Sequence, residues 1–189
     1  FTQPQMHNWQ EVALQGIADL AASVRRKDAA QLIIDHLPTV APQVQQALLS
    51  SLENHAIDKH LSQHLVKWAE QDFTNSLTVQ WTLRALSQSV AKTVVQHFIQ
   101  RVLDSEYGSN ADIMLLIAAR HWQLLSNEDT LRQYINQLAV IDTELCASLY
   151  SDLVQLPDIR SQMLAVIRWP NRSPALTQVI GHLFSGQQQ

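Results

Sequence analysis

The sequence is poor in the residues on which many ligand-binding motifs depend. Only four glycines occur among its 189 residues: Gly16, Gly108, Gly181 and Gly186. Hairpins and phosphate-binding loops need the positive φ angles that glycine allows, so neither an all-β fold nor a nucleotide-binding α/β fold is expected. The patterns Gly-x-x-x-x-Gly-Lys, Gly-x-Gly-x-x-Gly and Gly-x-Ser-x-Gly are all absent.

Cysteine and long apolar runs are also scarce. Cys146 is the only cysteine, so no internal disulfide can form, and its helical surroundings predict a small core residue rather than a nucleophile. The longest apolar run, residues 113–119, is far too short to span a bilayer. No secretory signal is visible, and we expect a cytoplasmic protein with no membrane contact. Because the chain begins with Phe1 rather than methionine, we also expect a longer parent chain.

The charge balance argues against a nucleic-acid partner. The formal net charge is −4 and the isoelectric point is about 6.0, whereas a phosphate-binding face needs clustered lysine and arginine. The one basic run, residues 25–27, stands where a helix is predicted to end. Cations at that position complement the helix dipole, so the run is interpreted as structural.

What the sequence does contain is helical periodicity. Apolar residues recur at i, i+3, i+4 and i+7 along nearly the whole chain, which predicts short helices that each bury one stripe. The clearest stripe includes Phe98, which we expect in the core. Residues 113–125 are apolar nearly all round and predict a central helix.

The breaks between these stripes carry helix-start signals. Ser173 followed by Pro174 predicts a capping residue and a first-turn proline. Asp58 and Asp142 are further predicted caps, and Ser126 is predicted to cap the helix after residue 125. Pro157 is predicted to lie in the first turn of the next helix, where its missing N–H costs nothing.

A degenerate repeat emerges when the sequence is shifted by about 34 residues. Five apolar positions then coincide with five others: Leu49, Leu52, Leu61, Leu65 and Trp68 fall on Leu83, Leu86, Val95, Ile99 and Val102. Such a period predicts stacked helical hairpins. We therefore expect an all-α fold of about eleven short helices, stacked as antiparallel hairpins in a HEAT-like superhelix. An irregular helical bundle is the alternative. Residues 1–184 are expected to form a single domain, with residues 185–189 as a disordered tail.

Three histidines raise the question of a metal site. His60 and His64 are four residues apart on one predicted helix and share a face, and His55 lies just upstream. Zinc could be bound by two such histidines and a carboxylate, but Leu61 occupies the glutamate position of the His-Glu-x-x-His pattern, and no cysteine is near. The residues therefore favour no cofactor and no metal.

Two arginines occupy comparable places in successive repeat units. Arg84 lies beside an apolar stripe, and Arg120 lies in the apolar segment 113–125. A partly buried arginine requires a carboxylate or carbonyl partner, and Asp19, Asp112 and Asp152 are candidates. Both arginines are interpreted mainly as structural, with a contact to a ligand or protein as the alternative.

A pair of acidic residues also recurs one unit later. Glu70 and Asp72 are followed by Asp104 and Glu106, and all four are predicted at helix C-terminal ends, where the helix dipole disfavours negative charge. An unfavourable placement that repeats indicates an acidic edge for a basic partner. Exposed loop charges without a role are the alternative.

The chain has five tryptophans. Trp9 and Trp68 lie on apolar stripes and are expected in the core, Trp81 lies beside a stripe, and Trp122 falls in the apolar segment. Trp169 directly precedes Pro170 and is expected to be exposed at a helix end. Because exposed aromatic residues are good anchors for peptides, Trp169 is a candidate contact residue.

Two short stretches carry a resemblance to a known family. They are the residues LQGIAD at 14–19 and RSPAL at 172–176. With the helical spacing between them, the chain resembles the C-terminal helical part of an uncharacterised bacterial protein family, a domain of unknown function. The resemblance implies a longer parent protein but no activity. Gly16 is interpreted here as a site of close helix packing.

These observations favour a non-catalytic protein-interaction or scaffold module over an enzyme. Its partner is expected to be a protein or peptide that contacts Arg84, Arg120, Trp169 or the acidic edge. One alternative is a metal-binding helical domain or an enzyme that uses His55, His60 and His64. Another is a self-association domain of a longer parent protein.

Overall fold

The computed structural model describes residues 14–185, and within that range the chain forms α-helices and short 3₁₀ turns but no β-strand. The predicted all-α fold class is confirmed. Trp9 and the predicted tail beyond Ser185 lie outside the described residues. The helices are α1 (Leu14–Ala22), α2 (Lys27–His36), α3 (Pro42–Leu52), α4 (Lys59–Gln71), α5 (Ser76–Ala85), α6 (Lys92–Leu103), α7 (Ala111–His121), α8 (Glu128–Ile141), α9 (Thr143–Leu153), α10 (Arg160–Val166) and α11 (Pro174–Ser185).

Three of the predicted helix caps are confirmed. The Asp58 carboxylate accepts the Leu61 N–H at 2.8 Å at the start of α4. Asp142 accepts two backbone N–H groups at the start of α9. The Ser173 hydroxyl accepts the Leu176 N–H at 3.1 Å, and Pro174 begins α11. Each contact satisfies backbone donors that have no partner within the helix.

Two predictions about helix starts are wrong. The cap of α8 is Asn127 rather than Ser126, because the Asn127 side-chain oxygen accepts the Thr130 N–H at 3.0 Å. The Ser126 hydroxyl instead donates to the Gln123 carbonyl, in a 3₁₀ turn that spans Trp122–Ser126. That turn ends the predicted helix over 113–125 four residues early. Pro157 lies in the turn that precedes α10, not in the helix itself.

The chain divides into two compact units, Phe1–Phe98 and Ile99–Gln189, and the boundary falls within α6. In the first unit, α1 packs on α3 and α3 packs on α5, whereas α2 packs on α4. Alternate helices therefore lie in different layers. The core between these helices is aliphatic, as the fully buried Leu49, Leu52, Leu61 and Leu83 illustrate. Phe98 is 1% exposed, which confirms its predicted place in the core.

Two hydrogen bonds in the first unit join residues that are far apart in sequence. The buried hydroxyls of Ser62 and Ser89 are 2.7 Å apart. The Val90 N–H donates to the Ile57 carbonyl at 3.1 Å, next to the same place. These bonds attach the segment before α6 to the start of α4.

In the second unit, α8, α9 and α11 pack on one another, while α7 packs on α8 and α10 on α9. Two buried tyrosines hydrogen-bond across this core. The Tyr134 hydroxyl donates to the Met114 carbonyl and the Tyr150 hydroxyl to the Met163 carbonyl, both at 2.9 Å. Desolvation of the phenolate raises the pKa of both tyrosines, so both remain protonated donors.

The glycines differ in what surrounds them. Apart from its own helix backbone, no atom of residues 14–185 lies within 4 Å of a Cβ atom built on Gly16, so the described residues contain no close packing at this exposed glycine, contrary to the prediction. A Cβ atom on Gly108 would stand 2.3 Å from the Leu103 carbonyl oxygen. The close approach therefore occurs at Gly108, in the second unit, where only hydrogen fits.

Candidate interaction surface

Arg84 is part of a structural contact. Its guanidinium lies 3.1 Å from the Glu53 carboxylate, a partner that was not among the three aspartates predicted from the sequence. The Ser87 hydroxyl donates to the Glu53 backbone carbonyl at 2.7 Å. The Glu53 side chain is largely buried, at 13% exposure. Arg84 and Ser87 thus join the ends of α5 and α3, which supports the structural interpretation of Arg84.

Arg120 lies at a different kind of position from Arg84. It is exposed near the C-terminal end of α7, so its predicted partial burial is wrong. A cation at a helix C-terminus complements the helix dipole, which accounts for its placement without a ligand.

The predicted acidic edge is only partly as expected. The exposed carboxylate of Asp104 accepts hydrogen bonds from the side-chain amides of Gln100 and Gln133, at 3.1 and 2.8 Å. Glu106 begins the 3₁₀ turn Glu106–Ser109, so the prediction that it ends a helix is wrong. Asp72 directly follows α4 at its C-terminal cap position, and Glu70 is exposed in the last turn of that helix.

Trp169 is 7% exposed, and the expectation that it is exposed at a helix end is wrong. The guanidinium of Arg132, on α8, stacks over the indole ring with its carbon 4.5 Å from the ring centroid. This cation–π contact covers the face that would otherwise meet solvent. Trp169 therefore belongs to the packing of the second unit and is not available as an anchor.

His60 and His64 form a pair on the exposed side of α4. Their ring centroids are 4.7 Å apart and the rings meet edge to face. Within residues 14–185, no group of three or more His, Cys, Asp or Glu side chains lies close enough together to hold a metal ion. A two-histidine pair alone leaves the coordination of a zinc ion incomplete.

Cys146 is fully buried on α9, which confirms its interpretation as a core residue. Its Sγ donates to the Ile135 carbonyl at 3.9 Å. Burial raises the pKa of the Cys146 thiol to about 12, and the nearby Asp142 adds to the rise. Because the thiolate is the nucleophile, this thiol is unreactive in the folded protein.

Two clefts lie on either side of α4. Most of the side chains that line them were not among the residues predicted from the sequence. The α2–α4 cleft has a volume of about 130 Å³. The buried Leu61 and Leu65 form its floor, and the half-buried Ile34 and Trp68 stand at its walls, so the expectation that Trp68 is a core residue is wrong. The exposed Lys67 lies at its rim. This cleft is thus an apolar depression with a cation at its edge.

The α4–α6 cleft lies on the other side of the same helix. It has a volume of about 220 Å³ and is lined by Val66, Val94 and Phe98 together with polar side chains. Lys67 and Glu70 both border it. Lys67 therefore stands between the two clefts, and the α4 face is defined here as the exposed side of α4 that carries His64, Lys67 and Trp68.

The lysines of the chain are confined to three helices. There are only four, and all of them lie on α2, α4 and α6: Lys27, Lys59, Lys67 and Lys92. Three of them are the first residues of their helices, where the dipole disfavours a cation by about 0.3–1 kcal/mol each. By contrast, α8 begins with two acidic residues. Lys67 is the one lysine that lies within a helix rather than at its first residue, and that position is the signal in the sequence that could have located the α4 face.

The structure thus defines an all-α protein with two shallow clefts on its surface. A family model described as "Protein of unknown function (DUF3549)" matches residues 1–184, so the chain belongs to that family. This confirms the predicted membership of an uncharacterised family. Neither a curated protein nor a solved structure matches the chain. Among residues 14–185, none of the helices has the length and apolar character needed to cross a bilayer.

Proposed function

We propose that this chain is a cytoplasmic, non-catalytic protein-interaction module that binds its partner through the α4 face. The observation that carries the proposal is the pair of shallow, partly apolar clefts on either side of α4. They expose apolar walls at Ile34, Val66 and Trp68 to an incoming side chain, and the cation of Lys67 borders both.

The size of the clefts favours a protein partner over a small substrate. Pockets that enclose drug-sized ligands have volumes of about 300–1,000 Å³. The two clefts measure about 130 and 220 Å³, and each is an open depression between two helices. Depressions of this size hold single side chains, which is how interface anchors bind.

Hydrogen bonds at a recurring spacing support a HEAT-like stack as the scaffold of this surface. Ser87 donates to the carbonyl of Glu53, and Gln137 donates to that of Leu103, each across 34 residues. These distances match the repeat length of about 34 in the sequence. A stack of hairpins with this period would present equivalent helices side by side, as interaction surfaces of repeat proteins do.

The proposal is tested by purifying the wild-type chain and two variants from the cells that produce it and comparing the proteins that co-purify with each. Trp68→Ala removes an anchor wall of the α4 face, and Trp122→Ala is the matched control because both tryptophans are half-buried. We expect a near-stoichiometric protein that co-purifies with the wild type and with Trp122→Ala but not with Trp68→Ala. Thermal unfolding of both variants checks that they fold. A partner retained equally by all three proteins would overturn the assignment of the α4 face.

A further inference from the structure

The α2–α4 cleft is apolar with one positive charge, that of Lys67, at its rim. Its walls and floor are apolar, and its polar lining consists of His64, Lys67 and Gln71. Among residues 14–185, no carboxylate lines this cleft, although the chain as a whole carries 17 acidic and 13 basic residues. An apolar depression with a lysine at its rim is complementary to an apolar side chain that has a carboxylate beside it.

Lys67 is available for such a contact. Its side chain is exposed, and in the described part of the chain its ammonium makes no hydrogen bond or ion pair. Arg84 and Arg132, by comparison, are paired with Glu53 and Glu128. The acidic residue nearest to Lys67 in sequence, Glu70, lines the α4–α6 cleft and not the α2–α4 cleft.

The volume of the cleft limits what enters it. About 130 Å³ corresponds to roughly four water molecules at about 30 Å³ each. A single branched aliphatic or small aromatic side chain fills that space, whereas a nucleobase with its sugar exceeds it. With 13 lysines and arginines against 17 acidic residues, the chain also lacks the excess of cations that nucleic-acid binding requires.

We propose that the α2–α4 cleft binds an acidic peptide segment of a partner protein, with one apolar side chain held against Trp68 and an adjacent carboxylate paired with Lys67. This inference rests on the proposed function and adds the chemistry of the partner. Recognition of this kind weakens as salt screens the charges.

The experiment is selection of phage-displayed random peptides, about 12 residues long, on the immobilised full chain. We expect the enriched peptides to share a Leu, Ile or Phe with Asp or Glu within a few residues of it. The most enriched peptide is then labelled with fluorescein and titrated against variants by fluorescence anisotropy. Lys67→Glu replaces the attraction between the lysine and the peptide carboxylate by repulsion between two carboxylates. We therefore expect the affinity of this variant for the peptide to be about tenfold lower than that of the wild type. Arg168→Glu is the matched charge reversal at an exposed arginine of α10's C-terminal flank, and it leaves the affinity within about twofold.

Three results would overturn the inference: enrichment of basic or uncharged peptides, no enrichment at all, or equal affinity of the wild type and Lys67→Glu. A 24-base-pair DNA duplex and a second, labelled copy of the chain are titrated in parallel. Binding of either that Lys67→Glu abolishes, in the absence of an acidic-peptide preference, would assign the cleft to that other occupant. If the cellular partner still requires Trp68 while no acidic peptide binds, the proposed function stands and only the partner chemistry fails.

Discussion

Gly108 provides the sharpest test of the packing of the second unit. Replacing it with alanine would place a Cβ atom 2.3 Å from the Leu103 carbonyl oxygen and 3.1 Å from the Gln137 side-chain nitrogen. The first contact is with backbone, which cannot rotate away as the end of a flexible side chain can. The Leu103 carbonyl also accepts the Gln137 amide at 2.9 Å, while the Gln137 side-chain oxygen is buried without a hydrogen-bond partner within residues 14–185.

The expected loss follows from these contacts. Overpacking that displaces backbone destabilises a protein by about 1–3 kcal/mol. Loss of the bond between Gln137 and Leu103 adds about 0.5–1.5 kcal/mol. We therefore expect Gly108→Ala to lower the free energy of unfolding by about 2–4 kcal/mol, measured by urea unfolding with far-UV circular dichroism.

Gly181 supplies the control for this measurement. It is an exposed residue inside α11, and a Cβ atom built on it meets nothing within 4 Å. Alanine is preferred over glycine in a helix by up to about 1 kcal/mol, so Gly181→Ala should stabilise the protein. A Gly108→Ala variant within about 0.5 kcal/mol of the wild type would refute the close approach of Gly108 to Leu103.

Three further predictions concern the core, the buried thiol and a helix cap. Phe98→Ala should lower the unfolding free energy by about 3–5 kcal/mol, whereas Phe184→Ala, at a side chain 53% exposed, should change it far less. With a pKa of about 12, Cys146 should react with maleimide at pH 8 only as fast as the protein opens, and labelling in urea should follow the unfolding curve. Asn127→Ala should cost about 1 kcal/mol in urea unfolding and Ser126→Ala less than about 0.5 kcal/mol, and the reverse order would contradict the assigned cap.

Only part of the proposed interaction surface could be predicted from the sequence. Glu70 was selected from its unfavourable position at a helix end, and it does border the α4–α6 cleft. Lys67 was not selected, because one lysine on an amphipathic helix looks like any solvated charge. Its significance depends on the apolar residues that α2 brings beside it, and these lie about 30 residues earlier in the chain.

Local signals in the sequence determined the helices of this protein. Apolar periodicity and capping residues act within a few positions of one another, so the all-α class and the starts at Asp58, Asp142 and Ser173 were predicted correctly. The error at α8 is also local, since Ser126 and Asn127 are both good caps and the competition between them was decided by a 3₁₀ turn.

Tertiary structure decided which side chains are covered and which residues they meet. Trp169 looked exposed because nothing near it in sequence predicts that Arg132 stacks on its ring. Arg84 pairs with Glu53 across 31 residues, a choice that depends on how α3 packs against α5. Helix formation depends on neighbours within one or two turns, whereas burial and pairing depend on contacts between segments that only the packed chain brings together.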